Sequence, residues 1–206
     1  MTDRSALSAR LQQLFPAEAK RRFAFRDRPL PEGTAEFIDG EVIVHPPRPA
    51  RDISAAGRLC VLLSTYVQIN ALGWIGTGRT LVGLTRNDYR PSLCFFGQEK
   101  AETITPTTLL FPAPDLAVEV LSPNTAARDR GVKHDDYAAH GVDEYWIVDA
   151  EHETVEQYLL HDDVYQLAIK ANTGEIASRA VDGFVIPVRA VCDDAANLDV
   201  LRALLA

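Results

Sequence analysis

The chain has 206 residues, 47% of them hydrophobic, and a formal net charge of −8 at pH 7. That is enough apolar material for one ordinary globular domain with a real core, and no apolar run approaches the roughly 18 residues that a membrane-spanning helix needs. The negative balance excludes a protein that coats nucleic acid indiscriminately, because such binding rests on neutralising phosphates.

Charge and cysteine usage add detail. Arg4, Arg10, Lys20, Arg21, Arg22, Arg26 and Arg28 make the N-terminal segment basic, whereas residues 143–163 hold eight acids and no Lys or Arg. A local basic surface can steer a polyanion while another face keeps the protein soluble, although such asymmetry is also what a solvated face produces. Residues 1–15 lack an apolar signal segment. Cys60, Cys94 and Cys192 are widely spaced and odd in number, which fits reduced structural thiols and a cytoplasmic protein.

In chain order, residues 3–15 fit a short amphipathic helix carrying Leu7, Leu11 and Leu14. Residues 21–33, with Pro29, Pro31 and Gly33, read as an irregular lead-in. Asp39-Gly40 between two apolar runs in 36–44 predicts a hairpin with a type I′ turn. Pro46-Pro47-Arg48-Pro49 has to leave the sheet, since proline donates nothing to a ladder. Asp52 is expected to cap a long helix to about residue 72, with Ile53, Ala56, Cys60, Leu63 and Val67 as its buried stripe and Gly73 as its stop. Residues 74–84 and 90–96 read as strands, and 97–112 as a polar loop. Gly76-Thr77-Gly78 lacks the rest of a dinucleotide or P-loop pattern and marks a bent strand.

The most informative segment is Pro114-Asp115-Leu116-Ala117-Val118-Glu119-Val120-Leu121-Ser122-Pro123. Leu116, Val118 and Val120 alternate onto one face, and Asp115, Ala117, Glu119 and Leu121 onto the other. A carboxylate in the middle of a buried strand is costly unless paired, protonated or metal-bound. Glu119 is therefore either a salt-bridged core glutamate or part of a site. Asp115 lies four residues earlier, ~13 Å away along a strand, too far to share one ion, so Glu119 needs a partner from a neighbouring strand; Asp115 is a supporting acid or a turn residue. A turn follows at Ser122-Pro123-Asn124-Thr125, then a helix over 126–140 stopped by Gly141 and an apolar strand over 144–149. Tyr145 and Trp146 read as core aromatics, and His134 and His140, six apart, fall on different helix faces. Residues 154–160 and 164–169 form a second hairpin around Asp162-Asp163, and strands near Phe184 and Val188 and a helix over 197–205 close the chain. This order predicts a mixed α/β sheet flanked by helices.

Several of these stretches together resemble a known family. Phe37-Ile38-Asp39-Gly40, Arg90-Pro91, the 114–123 segment, Asp129, Lys133, Tyr137, Gly141-Val142 and Glu144-Tyr145-Trp146-Ile147-Val148-Asp149 look like a bacterial family of "putative restriction endonucleases". It was long catalogued as a domain of unknown function, is expanded in cyanobacteria and belongs to the PD-(D/E)XK nuclease superfamily. The resemblance covers roughly residues 34–167 and is specific over 114–149. It implies an α/β restriction-endonuclease-like fold with additional β-hairpins: an N-terminal helix and lead-in (1–33), a nuclease-like core (34–170) and C-terminal strands and helix (171–206). It also implies hydrolysis of DNA phosphodiester bonds with Mg²⁺ or Mn²⁺, with DNA as partner, no membrane, and a homo-oligomer such as a dimer as the assembly.

Carried over by position, Glu119 resembles the central carboxylate ligand. The superfamily's lysine two residues later is Leu121 here, and its role is similar to that of Lys133 on the following helix, for which an ordinary ion pair with Asp129 is the other reading. Asp115 and Tyr137 complete the expected catalytic group. Related sequences read Arg-Pro-Asp where this one has Arg90-Pro91-Ser92, and Asp52 stands where histidine is expected. A serine hydroxyl is neutral and cannot replace a carboxylate at a magnesium ion. The expected metal-site set is therefore Glu119, Asp115, Ser92 and Glu36, with Glu36 and Asp115 as compensating acids, and an inactive binding or assembly module of the same fold is the alternative.

Overall fold

The alternation at 115–121 becomes the centre of a six-stranded mixed sheet. In the computed structural model, which describes residues 10, 13, 15–27 and 34–206, β7 (Leu116–Val120) pairs antiparallel with β6 (Leu93–Gly97) and parallel with β8 (Glu144–Asp149). Adding β3 (Gly73–Thr77), β9 (Thr154–His161) and β10 (Val164–Ala171), the strand order is β10-β9-β8-β7-β6-β3. A second sheet has the order β2-β1-β5-β4, built from β1 (Ala35–Ile38), β2 (Glu41–Val44), β4 (Val82–Gly83) and β5 (Asp88–Tyr89). A third pairs β11 (Glu175–Ala177) with β12 (Val185–Pro187).

The two faces of β7 serve two cores. Leu116, Val118 and Val120 pack with Ala55, Leu59 and Leu62 of the long helix α2 (Ala50–Ile69) and with Ile176, Phe184 and Ile186. Ala117 and Leu121 point the other way, to Ile38 and Tyr89 of the small sheet and Tyr137 of α5 (Val132–Ala139). Glu119 belongs to that second face, between the main sheet, the small sheet and the crossover helices. Tyr145 and Trp146 are fully buried. Mixed sheet, flanking helices and extra hairpins agree with the expected architecture.

Both predicted hairpins close with left-handed pairs: Asp39 and Gly40 at φ 51° and 86°, Asp162 and Asp163 at 49° and 64°. Other expectations are corrected. Residues 16–27, partly assigned to the lead-in, form α1 (Pro16–Asp27); Pro16 is suited to a helix's first position, and the helix-breaking Pro29, Pro31 and Gly33 all follow the helix. The helix expected over 3–15 lies, apart from residues 10, 13 and 15, outside the described residues. Helix α2 starts at Ala50 behind Pro49, so Asp52 sits inside its first turn instead of capping it. Its stripe is Ala55, Leu59, Leu62, Leu63 and Val67, with Ile53 60% exposed. Apolar neighbours such as Leu59-Cys60 and Leu62-Leu63 left two phases open, and the larger leucines decide between them.

The helix expected over 126–140 is interrupted at Arg130-Gly131 into α4 (Ala126–Asp129) and α5, glycine being a weak helix former. The 97–112 loop contains a short helix, α3 (Gln98–Ala101), and the last helix, α6 (Asp194–Leu204), begins earlier than expected because Asp193 accepts the Ala196 N–H at 2.7 Å. Among the described residues no helix is long and apolar enough to cross a membrane.

A second buried acid holds the C-terminal segment to the sheet. Glu144 is fully buried and accepts from Trp146 Nε1 (2.6 Å), Gln157 Nε2 (2.5 Å), Ser178 Oγ (2.6 Å), Arg179 N (2.9 Å) and Ala180 N (2.8 Å). Truncation would strand buried donors, each costing about 1–3 kcal/mol. Glu144→Ala is expected to lower the urea-derived unfolding free energy by roughly 3 kcal/mol or more and to speed amide exchange in β11 and β12. A loss below about 1 kcal/mol would mean that water satisfies these donors instead.

Candidate active site

Lysine 133 is the point on which three carboxylates converge. Its Nζ lies 2.9 Å from Glu36 Oε1, 3.0 Å from Glu119 Oε1 and 3.2 Å from Asp129 Oδ1. Each acid comes from a different element: Glu36 from β1, Glu119 from β7, Asp129 from α4. All four side chains are buried. At ~3 Å and an effective dielectric of ~20, each attraction is worth about 5 kcal/mol, enough together to offset a desolvation penalty of several kcal/mol per ion. An ammonium has three N–H donors; here one hydrogen-bonds Glu119, and the charge pairs with all three carboxylates. Lys133 therefore points inward to Glu119, and its pair with Asp129 is buried as well instead of lying on the surface.

The acids are not equivalent. Burial pushes Glu36 up, but Lys133, His45 (Nε2 at 3.1 Å from Oε2) and the Arg90 N–H (2.6 Å from Oε1) outweigh it and hold the carboxyl at about 2. Burial also pushes Glu119 up. Lys133 opposes this, while Asp129 and Glu36 add to it, and the carboxyl reaches about 8. Its other hydrogen bond, from Tyr137 OH, is long at 3.4 Å. Three carboxylates around one ammonium leave surplus negative charge, and a proton on Glu119 relieves it. Burial, with help from Glu119 and Glu36, keeps the Tyr137 hydroxyl protonated, and those two acids with Asp129 outweigh burial to keep Lys133 charged.

Above the cluster is a cleft of about 280 Å³ lined by His45, Arg48, Arg79 and Arg90 together with Ser92, Glu119 and Lys133. Glu119 is the one acid in that lining. Ser92 immediately precedes β6. The β6–β7 register (Leu93 opposite Val118, Cys94 opposite Ala117), continued by one residue, sets Ser92 opposite Glu119. Its Oγ accepts the Val120 N–H at 3.0 Å and a hydrogen bond from Arg48 Nη1 at 3.3 Å. Arg48 Nη2 donates to the Val120 carbonyl oxygen, so the guanidinium lies across the strand edge next to Glu119. Arg48 also opposes the upward push of burial on Asp52.

Glu36, Glu119, Ser92, Lys133 and Tyr137 are brought together, while Asp115 is a correction. At the entrance of β7 it accepts the Gly97 N–H at 2.7 Å and pairs with Lys100 Nζ at 2.6 Å; the strand's length separates it from Glu119, and its own donors account for it. Tyr137 packs between Tyr89 and Tyr145 with tilted rings, centroids at 5.3 and 5.4 Å, behind Glu119 and outside the cleft lining. Sequence reasoning missed Arg48 and His45 as cleft residues and Asp129 as a fully buried acid. The signal for Arg48 was a lone cation fixed among three prolines.

A divalent cation needs several hard oxygen ligands and anionic charge. Among the described residues no group of three His, Cys, Asp or Glu side chains is placed to hold one. The converging carboxylates are spent on Lys133, and at the cleft surface Glu119 faces a neutral hydroxyl with a guanidinium beside it. The residues present do not fit a two-carboxylate magnesium centre.

Comparison with known proteins agrees with this architecture. The model of the Uma2 family, described as "Putative restriction endonuclease", matches residues 24–189. A crystal structure of a protein from Anabaena variabilis, described as a "putative nuclease belonging to DUF820", superposes with a TM-score of 0.70 at 15% identity, over 81% of this chain and 94% of that one. At that identity the likeness is one of fold. No curated protein matches the chain significantly.

The raised Glu119 pKa has a sign that can be checked. Its ordinary value is 4.5 and its folded value about 8, so the folded state holds the extra proton. That contribution to stability is complete below about pH 4.5 and is lost as pH rises toward 8. Glu119→Gln carries no such proton. The wild-type melting temperature is expected to fall more steeply than the variant's between pH 6 and 9, measured by circular dichroism. Parallel curves would mean that Glu119 is ionised throughout.

Proposed function

We propose that this chain, which belongs to the Uma2 family described as "Putative restriction endonuclease", holds a DNA phosphodiester in the β6–β7 cleft and hydrolyses it slowly. The observation that carries this reading is the pairing of a cation-lined cleft with a single carboxylate, Glu119, at its floor. Arginine and histidine suit a phosphate oxyanion. Glu119, with a pKa near 8, can give or take a proton close to neutral pH, where general acid–base catalysis is most effective. Tyr137 and Lys133 hold its carboxyl in place from behind. Lys133, ringed by three buried carboxylates, has its charge largely offset before a phosphorane forms, which argues for slow turnover.

Serine at position 92 argues the same way. Two anionic ligands are the usual hold on Mg²⁺ or Mn²⁺, and a metal ion is what ordinarily polarises the scissile phosphate and acidifies the attacking water. With one acid in the cleft and a hydroxyl opposite, metal-assisted hydrolysis is weak, and the protein is closer to a DNA-binding member of its family than to a fast nuclease.

A supercoiled-plasmid nicking assay with Mg²⁺ or Mn²⁺ tests this. Wild-type protein is expected to nick slowly, and Glu119→Gln not at all. Robust wild-type cleavage that Glu119→Gln leaves intact would place the chemistry elsewhere. Robust cleavage that depends on Glu119 would mean that Ser92 is no handicap.

A further inference from the structure

The mismatch between the cleft and a metal centre has an occupant. We infer that the Arg48 guanidinium stands in for the cation, so that the cleft grips a phosphodiester oxygen through Arg48 without a metal ion. This rests on reading the cleft as a DNA phosphodiester site.

Arg48 is fixed in place by its surroundings. Its Nη1 donates to Ser92 Oγ at 3.3 Å and its Nη2 to the Val120 carbonyl. These acceptors belong to the residue opposite Glu119 and the residue following it, so a positive charge sits where a cation shared with position 92 would be. The backbone is stiff there as well: Pro46, Pro47 and Pro49 surround Arg48, and Pro49 leads directly into α2. Proline fixes φ, so little backbone entropy is lost in presenting the side chain.

A guanidinium carries five N–H donors. Arg48 Nε is buried without a hydrogen-bond partner among the described residues, which is costly unless a ligand oxygen completes it. The nearby cations are less suited to the task. Lys133 has its charge offset by three carboxylates. Arg90 directs Nε to the Ala35 carbonyl at 3.0 Å and Nη1 to that of Arg79. Arg79 also lines the cleft but is exposed, whereas Arg48 is held by its two acceptors and keeps donors to spare in the planar geometry that matches phosphate oxygens.

Ser92 is what makes this arrangement consistent. A carboxylate at position 92 would pair with the guanidinium and neutralise it, whereas the hydroxyl orients it and leaves its charge for the ligand. An arginine cannot generate hydroxide from bound water as a metal ion does, so the substitution favours holding phosphate over cleaving it.

The test combines DNA-binding anisotropy with Mn²⁺ calorimetry, on variants whose folding is checked by thermal unfolding. Wild type should bind a fluorescein-labelled duplex equally in EDTA and in Mg²⁺, and give no site-specific Mn²⁺ heat. Arg48→Ala should weaken duplex binding in EDTA by roughly tenfold or more, with Arg48→Lys intermediate because it keeps charge without the fork. Arg51→Ala, whose arginine pairs with Glu151 at 2.9 Å outside the cleft, should change binding by less than about twofold. Arg48→Ala combined with Ser92→Asp should bind one Mn²⁺, a gain that Glu119→Gln removes.

Stoichiometric Mn²⁺ binding by wild type that is lost in Glu119→Gln would overturn the inference, as would duplex binding that EDTA abolishes. If wild type binds no duplex in either buffer, the DNA reading fails by itself, and the two Mn²⁺ titrations decide whether Arg48 holds the cation's place.

Discussion

One buried ammonium organises the centre of this molecule. Lys133 draws Glu36 of the small sheet, Glu119 of the main sheet and Asp129 of α4 onto a single atom. Elsewhere the interface between these three layers is largely apolar and aromatic, and apolar contact is tolerant of small slips in position. Charge pairs at about 3 Å are not, so the cluster fixes the relative placement of layers that hydrophobic packing would leave less defined. The arrangement is costly in isolation, since desolvating each buried charge takes several kcal/mol. Its compensation lies in additional donors: the Arg90 N–H and His45 for Glu36, the Tyr137 hydroxyl for Glu119. Asp129, whose carboxylate oxygens make no hydrogen bond, is the member with least support beyond the ammonium.

Much of this was legible in the sequence wherever local periodicity and the core agreed. The period-two pattern of Leu116, Val118 and Val120 identified a buried strand, and Glu119 stood out because it broke the apolar character of its own face. Asp39-Gly40 announced its turn because left-handed backbone at consecutive positions selects for such residues. Arg22 was invisible in the same sequence. It appeared as one of a basic group, yet it is buried, donating to Asp88 Oδ1 at 2.6 Å and to the Leu84 and Asn87 carbonyls at 2.7 and 2.8 Å. No local pattern separates a buried arginine from a solvated one, because its acceptors lie more than sixty positions away.

The candidate site divides the same way. That Glu119 needed a neighbour from another strand followed from strand geometry alone, and Ser92 opposite Glu119 follows from the β6–β7 register. Asp115 was misjudged because sequence proximity to Glu119 was its main recommendation, whereas Gly97 and Lys100, its actual partners, come from the turn out of β6. Arg48 went unread for a complementary reason. Three flanking prolines described the backbone's exit from the sheet and gave no hint of where the side chain between them would return.

The charge distribution reconciles an acidic protein with a polyanionic ligand. The acids that make up the net charge of −8 include several that never meet solvent: Glu36, Asp88, Glu119, Asp129, Glu144 and Glu156 are all buried and bonded or paired internally. Others lie on the acidic stretch around β8 and β9, and at physiological ionic strength a charge more than about 8 Å distant is largely screened. What a ligand meets at the cleft is the local set, Arg48, Arg79, Arg90 and His45 around one carboxyl that burial and its acidic neighbours keep largely protonated at neutral pH. The protonation of Glu119 therefore bears on binding as well as on chemistry. An ionised carboxylate at the floor would oppose any phosphate drawn by the surrounding arginines, and the raised pKa removes that charge below about pH 8.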